Sequence, residues 1–169
     1  KWFNNQSEGI PGYISVNMTT QDVTLHRLDE GIKYSPGELF LRKLERHLRF
    51  SYPTLIFDDN YVFEIDDEGN PYWICPVVKY RIGLFGGKDI QGVVIVDAQD
   101  GSSQYYDAAD IPQWVDQAFS SDIAIAQIDY WGEYKRGFWN TIFGQKEMSH
   151  TSEGYNYLAQ DDDIWLYTG

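Results

Sequence analysis

The sequence has one cysteine, two methionines and three histidines in 169 residues, and each scarcity removes a class of chemistry. Cys75 has no internal disulfide partner. It sits in the middle of a strand-like run rather than at a helix N-terminus, so nothing in its setting lowers the thiol pKa, and it reads as a small buried hydrophobe. His26, His47 and His150 are scattered, with no second ligand at the spacing a zinc site needs. A serine nucleophile would want a strained Gly-x-Ser-x-Gly turn, and the sequence has none. No apolar run approaches the ~18 residues that a membrane-spanning helix takes. Positive charge is scarce as well: 13 Lys and Arg stand against 26 Asp and Glu, a net charge of −13. Such a surface disfavours nucleic acid, whose phosphates require a basic patch.

The charge is unevenly spread. Residues 1–53 hold seven basic and six acidic side chains, net +1, whereas residues 54–169 hold six and twenty, net −14. What is abundant is aromatic: six Trp, thirteen Tyr and nine Phe, large stiff rings that favour strands and argue for a β-rich fold. At this length the chain is expected to form a single domain, residues 1–169, with a sizeable core. It opens on Lys1 and closes at Gly169 in what reads as a strand, so it is expected to be a piece of a longer chain.

Residues 62–101 read as the hub of one antiparallel sheet. Phe63 and Ile65 alternate with Glu64 and Asp66, a period of two that suits a sheet with one wet face. The turn DEGNP at 67–71 follows, with Gly69 and Asn70 expected to supply positive φ. An apolar strand, GVVIV at 92–96, runs into a second Asp-Gly turn at 100–101. Upstream, residues 14–18 and 23–28 flank a polar turn and predict a first hairpin. SPGE at 35–38 is a capping-box pattern with Pro36 at the first helical position, followed by Leu41, Leu44 and Leu48 at helical spacing. The spacing predicts a helix over 36–50 whose leucines face Phe63, Ile65, Ile74, Val94 and Val96. Short helices are predicted over 109–119 and 121–128, an irregular aromatic stretch over 132–144, and a C-terminal hairpin over 155–167. The expected fold class is therefore α+β, an antiparallel sheet of hairpins packed against one main amphipathic helix.

The candidate sites are surfaces rather than reaction centres. Arg42, Arg46 and Arg49 recur at i, i+4 and i+7 on the side of the predicted helix away from the leucines. They form either a solvated face, paired through Glu38–Arg42 and Glu45–Arg49, or a docking stripe for an acidic surface or phospholipid head groups. Trp73, Tyr105 and Tyr106 are the leading aromatic candidates for a partner-binding or sugar-stacking patch, within a wider set that includes Trp114, Trp131, Trp139 and Trp165. GLFGGKD at 83–89 mimics a phosphate loop but lacks its spacing and the Ser or Thr after Lys88, so it reads as a strand connection. The acidic turns at 97–101 and 161–163 lack the calcium-loop spacing and read as solvated turns. Carboxylates are too many for a chance pair among Asp58, Asp59, Glu64 and Asp110 to indicate a hydrolase. No cofactor, no metal and no catalytic residue is expected.

The capped helix, the strands that follow and the closing VDAQDG at 96–101 together resemble the PepSY-type domain, over roughly residues 35–107. The chain departs from that pattern by the insertion at 81–92 and by a helical and hairpin extension over 108–169. Over its whole length, with IPGYI at 10–14, YPT at 52–54, GQK at 144–146 and DDIWLYTG at 162–169, it is similar to extracytoplasmic portions of uncharacterised multi-spanning membrane proteins of Gram-positive bacteria. That resemblance implies a cell-surface location, tethered to the membrane through segments outside this stretch. PepSY-type domains are associated with protease inhibition and envelope regulation, which by fold analogy implies a non-catalytic binding or regulatory module. Its partner would be a protein or a cell-wall polymer; the alternative is a domain that binds or processes cell-wall carbohydrate.

Overall fold

A strand that is apolar at every position needs cover on both faces, and GVVIV at 92–96 has it. The computed structural model describes residues 9–17, 19–80, 87–116, 118, 121–136, 143–144, 146–152, 156–160 and 163–167. Its largest sheet runs β5 (Pro71–Tyr80), β6 (Lys88–Asp97) and β7 (Ser103–Asp107), all antiparallel. Two short strands, β3 (Ile56–Phe57) and β4 (Val62–Ile65), pair in line along the free edge of β5. Two further antiparallel ribbons stand apart from it: β1 (Ile10–Val16) with β2 (Val23–Ile32), and β8 (Asn156–Gln160) with β9 (Asp163–Tyr167). With the helices α1 (Leu44–Ser51) and α2 (Ser121–Tyr134) the architecture is α+β, as the sequence predicts.

The strand period of two sorts the core into two layers. Cys75, Val77, Val94 and Val96 turn to one side, where Leu44 and Leu48 of α1 cover them, with Trp73, Phe57, Tyr61 and Tyr105 at the margin. Ile74, Val93 and Ile95 turn to the other side, beneath Ile111, Trp114, Val115 and Ala118. The expectation of one wet face is therefore wrong for the central strands. Ile74 also packs on the side opposite to the predicted one, because it alternates with Trp73 and Cys75.

The helix begins eight residues later than predicted. Ser35 spends its backbone, not its hydroxyl: its carbonyl accepts from Glu38 N (3.3 Å) and Leu44 N (3.1 Å), while its N–H donates to Arg42 O (3.3 Å). This closes residues 35–43 into a loop with a short 3-10 turn, Phe40–Arg42. Phe40 sits at φ +54°, outside helical space, which a helix from 36 could not contain. Leu44 and Leu48 keep their predicted burial, but Leu41 is left exposed. Elsewhere, only Gly69 of the 66–70 turn has positive φ; Asn70 instead donates its side-chain amide to Asp66 Oδ2 (2.9 Å). The described residues of 109–119 form turns rather than a helix. The predicted helix at 121–128 runs on to Tyr134, through Gly132, where Ser149 O packs so closely that a Cβ would lie 2.1 Å from it. Both outer hairpins form where predicted.

The sequence resemblance centred on residues 96–101, and this turn is where the layers meet. Asp97 Oδ1 accepts from Gln99 N (2.7 Å) and Asp100 N (3.2 Å), shaping the turn from within. Ala98 is fully buried; its carbonyl accepts from both Lys33 N (2.8 Å) and Tyr34 N (3.0 Å), and its N–H donates to Pro71 O (3.0 Å). Gly101, at φ +80°, lies under the Tyr34 ring, and its carbonyl meets His47 Nε2 of α1 at 2.8 Å. Trp73 Nε1 donates to Tyr34 O (2.9 Å). One five-residue turn thus holds the end of β2, the start of β5 and the helix.

Gly101→Ala places a methyl group 2.4 Å from the Tyr34 ring in a conformation that L-residues disfavour. The expected cost is about 2–4 kcal/mol in urea unfolding. Gly37→Ala, whose nearest neighbour is Ser35 Oγ at 3.9 Å, is the control and should change stability by less than about 1 kcal/mol. Equal effects of the two would contradict this packing.

Candidate functional site

Trp73, Tyr105 and Tyr106 are spent on the fold. Trp73 is half-buried, packs edge-on against Phe63 (ring centroids 5.1 Å apart) and donates its indole N–H to Tyr34. Tyr105 and Tyr106 are neighbours in β7 and so point to opposite faces of the sheet: Tyr105 borders the α1 layer and Tyr106 the other. They cannot form one stacking platform. The Tyr105 hydroxyl donates to Asp107 Oδ1 at 2.8 Å. Trp114 tilts against Tyr72, whereas Trp131 is exposed, with Lys135 Nζ 5.4 Å above its ring. Trp139 lies outside the described residues.

The basic stripe is divided. Arg42 belongs to the 3-10 turn and is half-buried, whereas Arg46 and Arg49 stand exposed on α1. The predicted Glu45–Arg49 pair does not form; Glu45 meets Lys43 instead, at 3.3 Å. Among the described residues, neither Arg46 nor Arg49 makes an ion pair.

Carboxylates and histidines are likewise occupied by structure. Asp58 is buried, takes Lys88 Nζ at 3.1 Å on Oδ1, and leaves Oδ2 without a hydrogen-bond partner. Glu64 Oε2 accepts from Asp116 N (3.1 Å). Asp58 and Glu64 attach beside Pro76 and Tyr72, four residues apart along β5 and so roughly 13 Å at the backbone. Lys88 lies in β6 rather than in a phosphate loop; residues 81–86 and 161–162 lie outside the described residues. His26 stacks on Tyr13 (4.7 Å) and meets Ser15 Oγ at 2.8 Å, while His47 is held by Gly101. Burial pushes the Cys75 thiol up, away from any nucleophilic role. Among the described residues no group of three or more His, Cys, Asp or Glu is placed to hold a metal ion, and no helix is long and apolar enough to cross a membrane.

What the structure leaves open is the β1–β2 ribbon. Register pairs Ile14 with Leu25 and Val16 with Val23, so all four share one face, while Tyr13–His26 and Ser15–Thr24 share the other. The Tyr13–His26 end of the polar face turns inward: Tyr13 Oη donates to Gly69 O (3.3 Å), and an open cleft of about 800 Å³ forms between the ribbon and the turns at 68–70 and 97–100. The aliphatic face turns outward, with Ile14 62 %, Val16 52 %, Val23 66 % and Leu25 59 % exposed. The alternation Ile-Ser-Val and Val-Thr-Leu was visible in the sequence, but periodicity does not say whether a face is covered. A second exposed apolar group, Leu39, Phe40, Leu41 and Phe50, lies beside the basic residues and was hidden by the predicted helix start.

In comparisons with known proteins, no family model, no curated protein and no solved structure matches the chain.

Two groups around the α1 layer titrate above their ordinary range. Burial pushes the Tyr61 hydroxyl up to about 12, and the hydrogen bond from Lys88 to Asp58 holds the lysine above its usual value. A folded-state pKa above the unfolded one means stability that is complete below the unfolded value and lost as pH rises through the folded one. The urea midpoint should therefore hold steady up to about pH 10 and fall between there and about 12. Tyr61→Phe should flatten that fall; an unchanged alkaline decline in Tyr61→Phe would show that burial of this hydroxyl does not drive it.

Proposed function

We propose that this chain is a non-catalytic binding module, working outside the cell membrane as part of a membrane-tethered protein, and that its partner is a protein seated on the β1–β2 ribbon. One observation carries the reading: four aliphatic side chains on one face of a projecting two-stranded ribbon, each more than half exposed. An isolated ribbon of this kind is marginal in water, and exposed apolar patches mark contact sites. Covering what remains exposed would contribute about 1 kcal/mol per side chain. The face is aliphatic, which suits side-chain packing against a protein rather than the ring stacking that recognises sugars. Trp73, Tyr105, Tyr106 and Trp114, which supported a carbohydrate reading, are half-buried and divided between two sheet faces. Asp97, Asp58 and His26 are engaged in a turn, a salt bridge and a ring contact, which favours binding over catalysis.

A photocrosslinking residue at position 25, in the chain presented to cell-envelope extract, should capture a saturable protein band that unlabelled wild type competes away. Ile14→Glu with Val23→Glu, carried by the same labelled chain, should reduce capture at least tenfold while urea stability stays within about 1 kcal/mol, because these side chains are already in water. Capture that the double variant leaves unchanged would remove the proposal. Crosslinking of the chain to itself would replace the partner by a second copy.

A further inference from the structure

Residues 39–50 combine two features, exposed apolar side chains and a concentration of positive charge. Starting α1 at Leu44 leaves three consecutive apolar residues, Leu39, Phe40 and Leu41, at 44, 70 and 69 % exposure on a loop whose tip is held at φ +54°. Phe50 is 73 % exposed on the outward side of α1, four residues from Arg46 and next to Arg49. The same twelve residues carry Arg42, Lys43, Arg46 and Arg49 against a single acid, Glu45, a net +3 inside a chain of −13.

We infer that residues 39–50 form a contact surface for an anionic lipid bilayer. The chemistry is complementary on both counts: exposed leucine and phenylalanine enter the boundary between head groups and acyl chains, while arginine and lysine stay at head-group level on lipid phosphates. A bilayer requires only protruding apolar side chains with cations around them. A protein partner would require matched relief, and the clefts beside Tyr13, Gly9 and Trp114 are lined by other segments. The acidic remainder of the chain is repelled by the same membrane, which fixes the orientation, this element down. The β1–β2 ribbon differs in kind. Residues 10–32 carry Arg27 against Asp22, Asp29 and Glu30, so its aliphatic face has no cationic collar and is unsuited to anionic lipid.

The surface does not depend on the ribbon reading, and the experiment separates the two. Wild type is sedimented with vesicles of phosphatidylcholine alone and of phosphatidylcholine with phosphatidylglycerol, at low salt. Wild type should partition to the anionic vesicles at least tenfold more than to the neutral ones. Arg46→Glu with Arg49→Glu, and separately Phe40→Ser with Leu41→Ser, should each lose at least tenfold. Ile14→Glu with Val23→Glu should bind vesicles as wild type does. Both test pairs alter exposed side chains, so their urea midpoints should match wild type; a midpoint loss with either pair would mean that these residues hold the fold, and the proposal fails. Equal binding to both vesicle types overturns it. So does vesicle binding that survives Phe40→Ser with Leu41→Ser. If inorganic polyphosphate binds wild type and the serine pair alike, the surface takes a soluble anionic polymer and no bilayer is involved.

Discussion

The carbonyl of Ala98 accepts two backbone N–H groups, from Lys33 and Tyr34, and most of the tertiary arrangement hangs on that shared acceptor. It ties the end of β2 to the sheet through the backbone, although the β1–β2 ribbon shares no ladder with β5 or β6. The turn around Ala98 is rigid for local reasons: Asp97 closes it through its carboxylate, and Gly101 takes the positive φ that lets Tyr34 lie against the backbone. A buried carbonyl left without these donors costs about 1–3 kcal/mol, so ribbon and turn hold each other. His47 carries the connection into α1 through Gly101.

That arrangement explains why the exposed surfaces lie where they do. The sheet is covered on both faces, by Leu44 and Leu48 of α1 on one side and by Ile111, Trp114, Val115 and Ala118 on the other. Ile14, Val16, Val23 and Leu25 of the ribbon and Leu39, Phe40 and Leu41 of the loop stay in water. The two surfaces carry opposite charge, which assigns them different partners. The ribbon presents aliphatic side chains in an acidic setting; the loop and helix present aliphatic and aromatic side chains in a basic one.

The strands were largely legible from the sequence because alternation, Asp-Gly turns and the GVVIV run are local signals with one physical meaning each. The helix was half legible. Leu44 and Leu48 were placed correctly by their spacing, but Ser35, Pro36 and Glu38 also satisfy a backbone-closed loop, and the choice rests on Ser35 bonding Arg42 and Leu44, which no local pattern encodes. The helix expected at 109–119 fails for a similar reason: Ile111, Trp114 and Val115 are needed as a lid on Ile74, Val93 and Ile95, and an extended turn supplies it. Aromatic residues were poor guides to a surface. Trp73 and Tyr105 are as conspicuous in the sequence as any exposed ring, yet they seal the margin of the core. The exposed aliphatic residues, which carry the functional reading, resemble core residues in every local respect.

The central claim is that the 97–101 turn belongs to the cooperative core rather than to the surface. Native-state hydrogen exchange tests it directly, by comparing the amides of Lys33, Tyr34 and Ala98 with those of Val94 and Val96 in β6. If the turn ties the layers together, all five should open with the same free energy, equal to that of global unfolding, and should shift together with urea. Exchange of Lys33, Tyr34 and Ala98 through a low-energy local opening, while Val94 and Val96 stay protected to the global limit, would contradict the account.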